Sequence, residues 1–421
     1  MNYFNILRKK ISERKATICI IGLGYVGSAI FQKLNKENFP LIGIDKNRKK
    51  LTFRGKKNKI ILSSNYKHIK NADIIIITLP TPLTKNMEPD LSFIKGCLKS
   101  MEKFLKKGQL ISLESTTYPG TTDDIIGSFL KKRFKISRDF FLVYSPERIS
   151  PELKVKNKKI KYNLSNTPKI CAGYSKKCVS LGKDIYRKIT NRVVTASTLK
   201  VAETSKMIEN IFRSINIALV NELKMFLTKI DIDVDEALDL AGTKPFGFTK
   251  FKPGPGYGGH CIPLDPFYLY WLAKKNNFDL KFIKTSGVIN RQTTNWISEK
   301  ITKFIEKNKI KLFSKKILLL GVAYKPNIDD TRESPAFKIA EKLFKKGYDF
   351  EFSDPYVKKI KFRKKLKKSK KINANLFKKF PVVLIVTDHN KFDFNFVSKK
   401  AKFLFDSRNI VKKRSKNYFK V

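Results

Sequence analysis

Acidic residues, cysteine and long apolar stretches are what this sequence has least of, and each shortage narrows what it can be. Five cysteines are spread over 421 residues with no close pairing pattern. That excludes a disulfide scaffold and points to a reducing compartment. No run of about 18 uninterrupted apolar residues occurs, so no membrane-spanning helix is expected. Against 89 Lys and Arg stand only 36 Asp and Glu, a formal net charge of +53, which asks for an anionic partner or a heavily solvated surface. What the chain does hold is material for packed cores, 42% hydrophobic and 12% aromatic residues. A wholly disordered chain is thereby excluded, and the length leaves room for two or three domains at roughly 100–200 residues each.

The N-terminus imitates a secretory signal. Basic Arg8, Lys9, Lys10, Arg14 and Lys15 precede an apolar stretch from Ala16 to Phe31. Gly22, Gly24 and Gly27 interrupt that stretch and no small-residue cleavage site follows it, so a strand and a glycine turn explain it better, and a cytoplasmic location is expected. Lysine is densest between Lys358 and Lys371, ten Lys/Arg in fourteen residues. One reading is a nucleic-acid or anionic-membrane patch; the other is a solvated surface segment connecting elements of an α/β unit. No zinc-finger, RRM or KH signature accompanies the charge, which favours the second reading, and no metal site is expected.

Short β-branched runs alternate with amphipathic stretches from Thr17 to about Leu199: Thr17–Ile21, Leu41–Asp45, Asp73–Leu79, Gln109–Glu114, Phe140–Tyr144, Lys169–Ala172 and Arg192–Thr195. This pattern predicts a parallel α/β sheet. Helical patterns follow over Leu199–Leu227 and Asp233–Ala241, then a Gly/Pro-rich stretch from Lys244 to Pro266, then helix again to about Lys307. Alternation restarts with strands at Lys316–Ala323, Tyr348–Ser353, Pro381–Thr387 and Lys402–Asp406 and a helix at Pro335–Lys346. The expected architecture is α/β, helical, α/β, divided as residues 1–198, 199–310 and 311–421.

Gly22-Leu23-Gly24-Tyr25-Val26-Gly27 follows the first strand directly and opens a helix, and Asp45 ends the next strand about 20 residues on. This is the dinucleotide fingerprint in its required setting: glycines allow the tight turn and close approach of a pyrophosphate, the helix N-terminus attracts it, and Asp45 can accept from a ribose 2′-hydroxyl. A carboxylate there favours NAD over NADP, although Lys46 and Arg48 follow closely. Cys261 lies in the glycine-rich loop four residues before Asp265. It is placed either as a nucleophile or as a buried structural cysteine, and neighbouring His260 as a base or a loop residue. Cys19, Cys97, Cys171 and Cys178 fall in strand and helix patterns and read as inert. Lys206 and Asn210 share one helical face, as a reactive pair or as a solvated polar surface.

Taken in order, Gly22–Gly27, Glu114-Ser115-Thr116, Ser145-Pro146-Glu147-Arg148, Ala202-Glu203-Thr204-Ser205-Lys206 with Asn210, Gly258-Gly259-His260-Cys261-Ile262-Pro263-Leu264-Asp265 and Asp330-Thr331-Arg332-Glu333-Ser334-Pro335 form a series. The series resembles the UDP-glucose/GDP-mannose dehydrogenase family over about residues 16–410, nearest to its UDP-N-acetylhexosamine 6-dehydrogenase branch. The resemblance implies two Rossmann-like parallel-sheet domains joined by a central helical region. It implies a two-step, four-electron oxidation of a sugar C6 hydroxymethyl to a carboxylate with two NAD⁺. In that scheme Cys261 is the nucleophile, Lys206 and Asn210 stabilise the oxyanion, and Asp265 holds water or moves a proton, with Thr116 and Glu147 in the same acid–base network. Gly22, Gly24, Tyr25, Val26, Gly27, Asp45, Thr81, Thr116 and Arg332 are the implied NAD contacts. Glu147, Lys206, Asn210, Lys252, Gly258, Lys325 and Arg408 are the implied contacts to the UDP-sugar, Lys252 serving a neighbouring subunit in a homodimer or higher homo-oligomer. Where UDP-glucose dehydrogenases carry a second glutamate, this chain has Pro151. That favours an N-acetylated sugar, UDP-N-acetylglucosamine first, with UDP-glucose and the N-acetylmannosamine and N-acetylgalactosamine epimers as alternatives.

Overall fold

Four-residue runs with every side chain buried cannot sit on a sheet that has one wet face; they belong in a parallel sheet covered on both sides. The computed structural model, which describes residues 1–52, 60–84, 86–148, 163–259, 262–411 and 416–421, contains such a sheet. Its strands are β1 Ile18–Ile21, β2 Leu41–Ile44, β3 Ile60–Ser63, β4 Ile74–Ile77, β5 Leu110–Leu113, β6 Phe141–Tyr144, β7 Lys169–Gly173 and β8 Val193–Thr195. They lie in the order β3-β2-β1-β4-β5-β6-β7-β8, with every pair parallel except β6–β7. Alternate residues feed two cores: Cys19, Ile21, Ile75 and Ile77 pack on one face, Ile18, Ile20, Ile74 and Ile76 on the other. Helices α1 Tyr3–Ser12, α2 Tyr25–Lys36, α3 Ser92–Met101, α4 Ser128–Lys131 and α5 Lys176–Tyr186 accompany these strands. The chain reverses direction across the sheet between β1 and β4, and the C-terminal ends of the strands at such a reversal are where open α/β sheets bind ligands.

Contacts divide the chain into two compact units, Met1–Glu209 with Trp271–Asn277 and Asn210–Tyr270 with Phe278–Val421. The long helix α6, Leu199–Leu227, starts in the first and ends in the second. The second unit continues with α7 Val234–Ala241, α8 Asp265–Lys275 (which ends in the first) and α9 Lys281–Lys307. A five-stranded sheet follows, built from β9 Lys316–Leu320, β10 Asp349–Ser353, β13 Val382–Ile385, β14 Phe403–Asp406 and β15 Tyr418–Lys420 in the order β10-β9-β13-β14-β15, parallel throughout. Helices α10 Pro335–Lys345, α11 Ala374–Lys379 and α12 Phe394–Lys400 alternate with it. The fold is therefore α/β with two parallel sheets and a helical central region, and every expected strand is present to within three residues at either end.

The basic run corrects the expectation of a plain connecting segment. It folds into an antiparallel hairpin, β11 Lys359–Phe362 with β12 Lys365–Lys368, turned by Arg363 and Lys364, both at positive φ. Lys-Ile-Lys-Phe alternates with period two, so Ile360 faces inward, and opposite it buried Lys367 donates to the Phe350 carbonyl at 2.7 Å and to Asp349 at 3.0 Å. The abundance of charge hid this alternation. No helix among the described residues is long and apolar enough to cross a membrane.

Candidate functional site

The glycine turn after β1 is built by close approach. Gly22 sits at φ +93°, where a side chain is strained. A Cβ on Gly27 would lie 1.9 Å from the Gly22 carbonyl oxygen. Thr78, just past β4, locks the turn by donating from Oγ1 to that same carbonyl at 2.6 Å. Gly24 caps the N-terminus of α2 with no side-chain bond to its amides and nothing within 4 Å of a would-be Cβ; Tyr25 beside it is exposed and Val26 half-buried. Asp45, just past β2, accepts from the Leu23 and Asn47 amides at 2.8 Å each, with Lys50 Nζ at 3.6 Å. These two amides leave lone pairs on the carboxylate for ribose hydroxyls. An open helix N-terminus beside an oriented carboxylate fits a dinucleotide.

The same edge carries the next two motifs. Thr81, buried, donates to the Thr116 carbonyl at 2.7 Å, and Ser115 donates to the Leu79 carbonyl at 2.7 Å, so these loops are tied to each other and Thr116 is left half-buried. Beyond β6, the Glu147 carboxylate accepts from the Arg148 amide at 2.7 Å and from Lys169 Nζ at 3.0 Å. Arg148 in turn pairs with Glu209 of α6 at 2.7 Å.

Helix α6 presents Lys206 and Asn210 one turn apart, both buried, so the pair is no solvated surface. Asn210 Nδ2 donates to Asp265 Oδ2 at 2.6 Å; Asp265, the first residue of α8, is buried as well. The first unit's part of α6 is held by Glu203, whose carboxylate accepts from the Gly120 amide at 2.6 Å, the Thr122 amide at 2.8 Å and the Thr122 hydroxyl at 2.6 Å. Burial pushes Glu203 up to about 7 against those three bonds.

In the second unit the glycine-rich loop is packed backbone to backbone. The Gly259 amide donates to the Arg332 carbonyl at 3.0 Å. A Cβ on Gly258 would meet the Glu333 carbonyl oxygen at 2.8 Å, and one on Gly259 would meet the Tyr324 ring at 2.7 Å. Arg332 is exposed and forked on Asp330. Lys252 is exposed and Lys325 half-buried. Arg408 lies over Gly254, donates to the Val386 carbonyl at 2.9 Å and has Asp388 at 3.6 Å. Cys261 and His260 lie outside the described residues. The other four cysteines are buried, and burial pushes the Cys97 and Cys171 thiols up to about 12, as inert core residues require. No cluster of three metal-ligating side chains occurs among the described residues.

Lys169, Glu203, Asn221 and Lys224 are buried polar residues to which the sequence assigned no role. Lys169 and Glu203 are described above. Asn221 accepts from the Gly254 amide at 2.8 Å and donates to Asn290 at 3.1 Å. Lys224 donates to the Ser407 carbonyl at 3.1 Å, and burial pushes it down to about 7. Asn221 and Lys224 continue the Lys206–Asn210 face of α6 at helical spacing, which was the one signal available.

A dinucleotide turn on one parallel sheet, a second parallel sheet and a central helix bearing Lys and Asn define a nicotinamide-dependent dehydrogenase of the two-sheet type. The chain belongs to the UDP-glucose/GDP-mannose dehydrogenase family. It matches that family's NAD binding domain over residues 53–190, its central domain over 200–292 and its UDP binding domain over 318–413, and is accordingly an NAD-dependent oxidoreductase acting on CH–OH. It is 32% identical to the UDP-N-acetyl-D-mannosamine dehydrogenase of Methanocaldococcus jannaschii, across 96% of this chain and 95% of that one. It is also 32% identical to the UDP-N-acetyl-D-glucosamine 6-dehydrogenase of Salmonella typhi, across 81% and 82%. Among solved structures it superposes on the UDP-D-ManNAc dehydrogenase of Pyrococcus horikoshii with a TM-score of 0.83 at 27% identity, covering 96% of this chain and 98% of that one.

Proposed function

We propose that the protein is a UDP-N-acetylhexosamine 6-dehydrogenase that converts the C6 hydroxymethyl to a carboxylate: R–CH₂OH, two NAD⁺ and water give R–COO⁻, two NADH and three H⁺. The observation that carries this reading is the buried Asn210–Asp265 bond at 2.6 Å, with Lys206 one turn away on the same helix. NAD⁺, when bound, supplies the hydride acceptor for each oxidation. After the first, the Cys261 thiolate adds to the C6 aldehyde, because a tetrahedral thiohemiacetal gives up hydride far more readily than a free aldehyde. The Lys206 ammonium balances the oxyanion that forms. One amide hydrogen of Asn210 is committed to Asp265, and the second is free to meet the same oxygen. Loss of the second hydride leaves a thioester, which water held by Asp265 cleaves, with Glu147 and Thr116 taking part in proton transfer. Gly22–Gly27, Asp45, Thr81 and Arg332 serve the NAD, and Lys252, Gly258, Lys325 and Arg408 the UDP-sugar. The division at residues 198 and 310 belongs to this reading as NAD-binding, central and UDP-binding parts.

The first reading is the gluco epimer, taken from the branch that the motif series resembles; Pro151 itself favours only an N-acetylated sugar. A relative matched along nearly the whole chain is named for the manno epimer, and that favours UDP-N-acetylmannosamine as a second reading. Purified protein incubated with NAD⁺ and each of UDP-N-acetylglucosamine, UDP-N-acetylmannosamine, UDP-N-acetylgalactosamine and UDP-glucose separates them. Two NADH per sugar consumed are expected with one N-acetylated substrate; one NADH per sugar, with an alcohol-to-ketone product, overturns the mechanism. Cys261→Ser is expected to stop turnover after the first hydride.

The same reading includes a homodimer. Ile208, Phe212, Leu219, Leu223 and Phe226 recur at spacings of three, four and seven along α6 and are each more than a third exposed, an apolar stripe that a second copy would cover. Light scattering is expected to find a dimer for the native chain and a monomer for Leu219→Glu/Phe226→Glu; a native monomer at micromolar concentration removes the dimer.

A further inference from the structure

At the C-terminal edge of the first sheet three charged side chains form a group of their own. Lys169 opens β7, the strand that runs antiparallel to β6, and so its side chain emerges where β5 and β6 end. Its Nζ lies 2.6 Å from Glu114 Oε2 and 3.0 Å from Glu147 Oε2, with the Pro146 carbonyl at 3.5 Å. Side-chain exposure is 5% for Lys169, 0% for Glu114 and 9% for Glu147. The Tyr186 ring of α5 lies 5.1 Å from Nζ, and its hydroxyl meets Ser112 Oγ at 2.7 Å. Arg148, whose amide binds Glu147, is itself neutralised by Glu209 of α6.

Two carboxylates share one ammonium, which leaves one negative charge too many for a dry pocket. Glu114 absorbs the surplus: burial pushes it up to about 7. Burial works against Lys169, but the two carboxylates beside it hold its ammonium charged. What remains at neutral pH is a balanced pair, Lys169 with Glu147, and a protonatable Glu114 behind it.

We propose that Lys169 is a positioning residue for the dehydrogenation, fixing the Glu147 carboxylate by a charge-assisted bond and keeping it ionised for proton transfer. This rests on the reading that Glu147 acts in the reaction. A merely structural pair would affect stability alone; a positioning residue also sets the pH at which the enzyme works.

Lys169→Met by itself strands two buried carboxylates and invites unfolding, so the informative protein is Lys169→Met/Glu114→Gln, measured against Glu114→Gln. We expect a folded double variant whose kcat on the acidic limb, near pH 5, is about tenfold or more below that of Glu114→Gln, with a much smaller difference at pH 7. Its acidic limb in the pH–rate profile should lie about one to two units higher, and KM for the UDP-sugar should hardly change. Lys169→Arg keeps the charge and is expected to leave the acidic limb in place. A double variant with the profile of Glu114→Gln overturns the proposal, as does a limb that moves as far in Lys169→Arg as in the double variant. Glu147→Gln tests the underlying reading separately: if it keeps both kcat and the acidic limb, Glu147 is not the acting group, whatever Lys169 does.

Discussion

A Cβ on Gly27 would lie 1.9 Å from a backbone oxygen and 2.5 Å from Thr78 Oγ1, whereas one on Gly24 would meet nothing within 4 Å. The two glycines of one turn are therefore needed for different reasons, and substitution separates them. Gly27→Ala has to push β1 and α2 apart and is expected to cost about 2–3 kcal/mol of stability, read as a lower urea midpoint. Gly24→Ala, at φ −72°, is expected to fold normally and to lose NAD⁺ affinity tenfold or more, because its methyl occupies the space a pyrophosphate approaches. Calorimetric titration with NAD⁺ checks it, and an unchanged affinity removes Gly24 from the cofactor site. Lys224 is a second case in which one atom decides. Burial takes its pKa from 10.5 down to about 7, so between those values the unfolded chain binds more protons than the folded one and stability rises with pH. The penalty is therefore largest near and below pH 7. Lys224→Met is expected to unfold at a higher temperature than the native chain at pH 7, by about 1 kcal/mol or more, with the advantage shrinking toward pH 9. An advantage that stays constant with pH sinks this account.

Among the elements, α6 is clamped in the first unit by a buried carboxylate near its start, in addition to the Arg148–Glu209 pair and the packing of Leu199 and Ala202. Glu203 offers its oxygens to two amides and a hydroxyl at the start of the π-helical turn Thr122–Gly127. Glu203→Gln turns an NH₂ toward one of those donors, and a loss of about 2–3 kcal/mol is expected from denaturant unfolding; a change under about 0.5 kcal/mol means the clamp is dispensable. Elements like α6 and β1 were legible in the sequence because apolar periodicity is an energetic requirement written into residue order. Those that were missed lacked that signal: β3 and β15 lie at the ends of their sheets with every residue only half-buried, and the β11–β12 hairpin carries its apolar alternation under lysines. The site divides in the same way. The glycine turn, Asp45, Lys206, Asn210 and Asp265 declare themselves by motif; Glu203 lies inside a motif with no role attached, Lys224 is marked only by its helical spacing from Asn210, and Lys169 is an ordinary charged letter whose weight arises from burial.

For the whole molecule, the net charge of +53 acts on folding and on catalysis with opposite signs. Few of the cations have a buried or binding role. Most lie on the surface, where each repels its neighbours more strongly in the compact state than in the expanded chain. Added salt shortens the Debye length from about 30 Å at 0.01 M to about 8 Å at 0.15 M, so the repulsion fades and the folded state gains. Both substrates carry a pyrophosphate and a net negative charge, so both are drawn in by the same field, and the same screening slows their encounter. Raising sodium chloride from about 0.01 M to 0.3 M is therefore expected to increase Tm while lowering kcat/KM for the UDP-sugar several-fold and leaving kcat nearly unchanged, since kcat is measured with substrate already bound. The pairing of signs is the informative part. If kcat/KM is flat while Tm rises, the surface charge is a folding burden with no part in substrate capture. If Tm falls with salt, the surface ion pairs, such as Arg363–Glu341 on the basic hairpin, outweigh the repulsion, and the excess of lysine is better compensated than its count suggests.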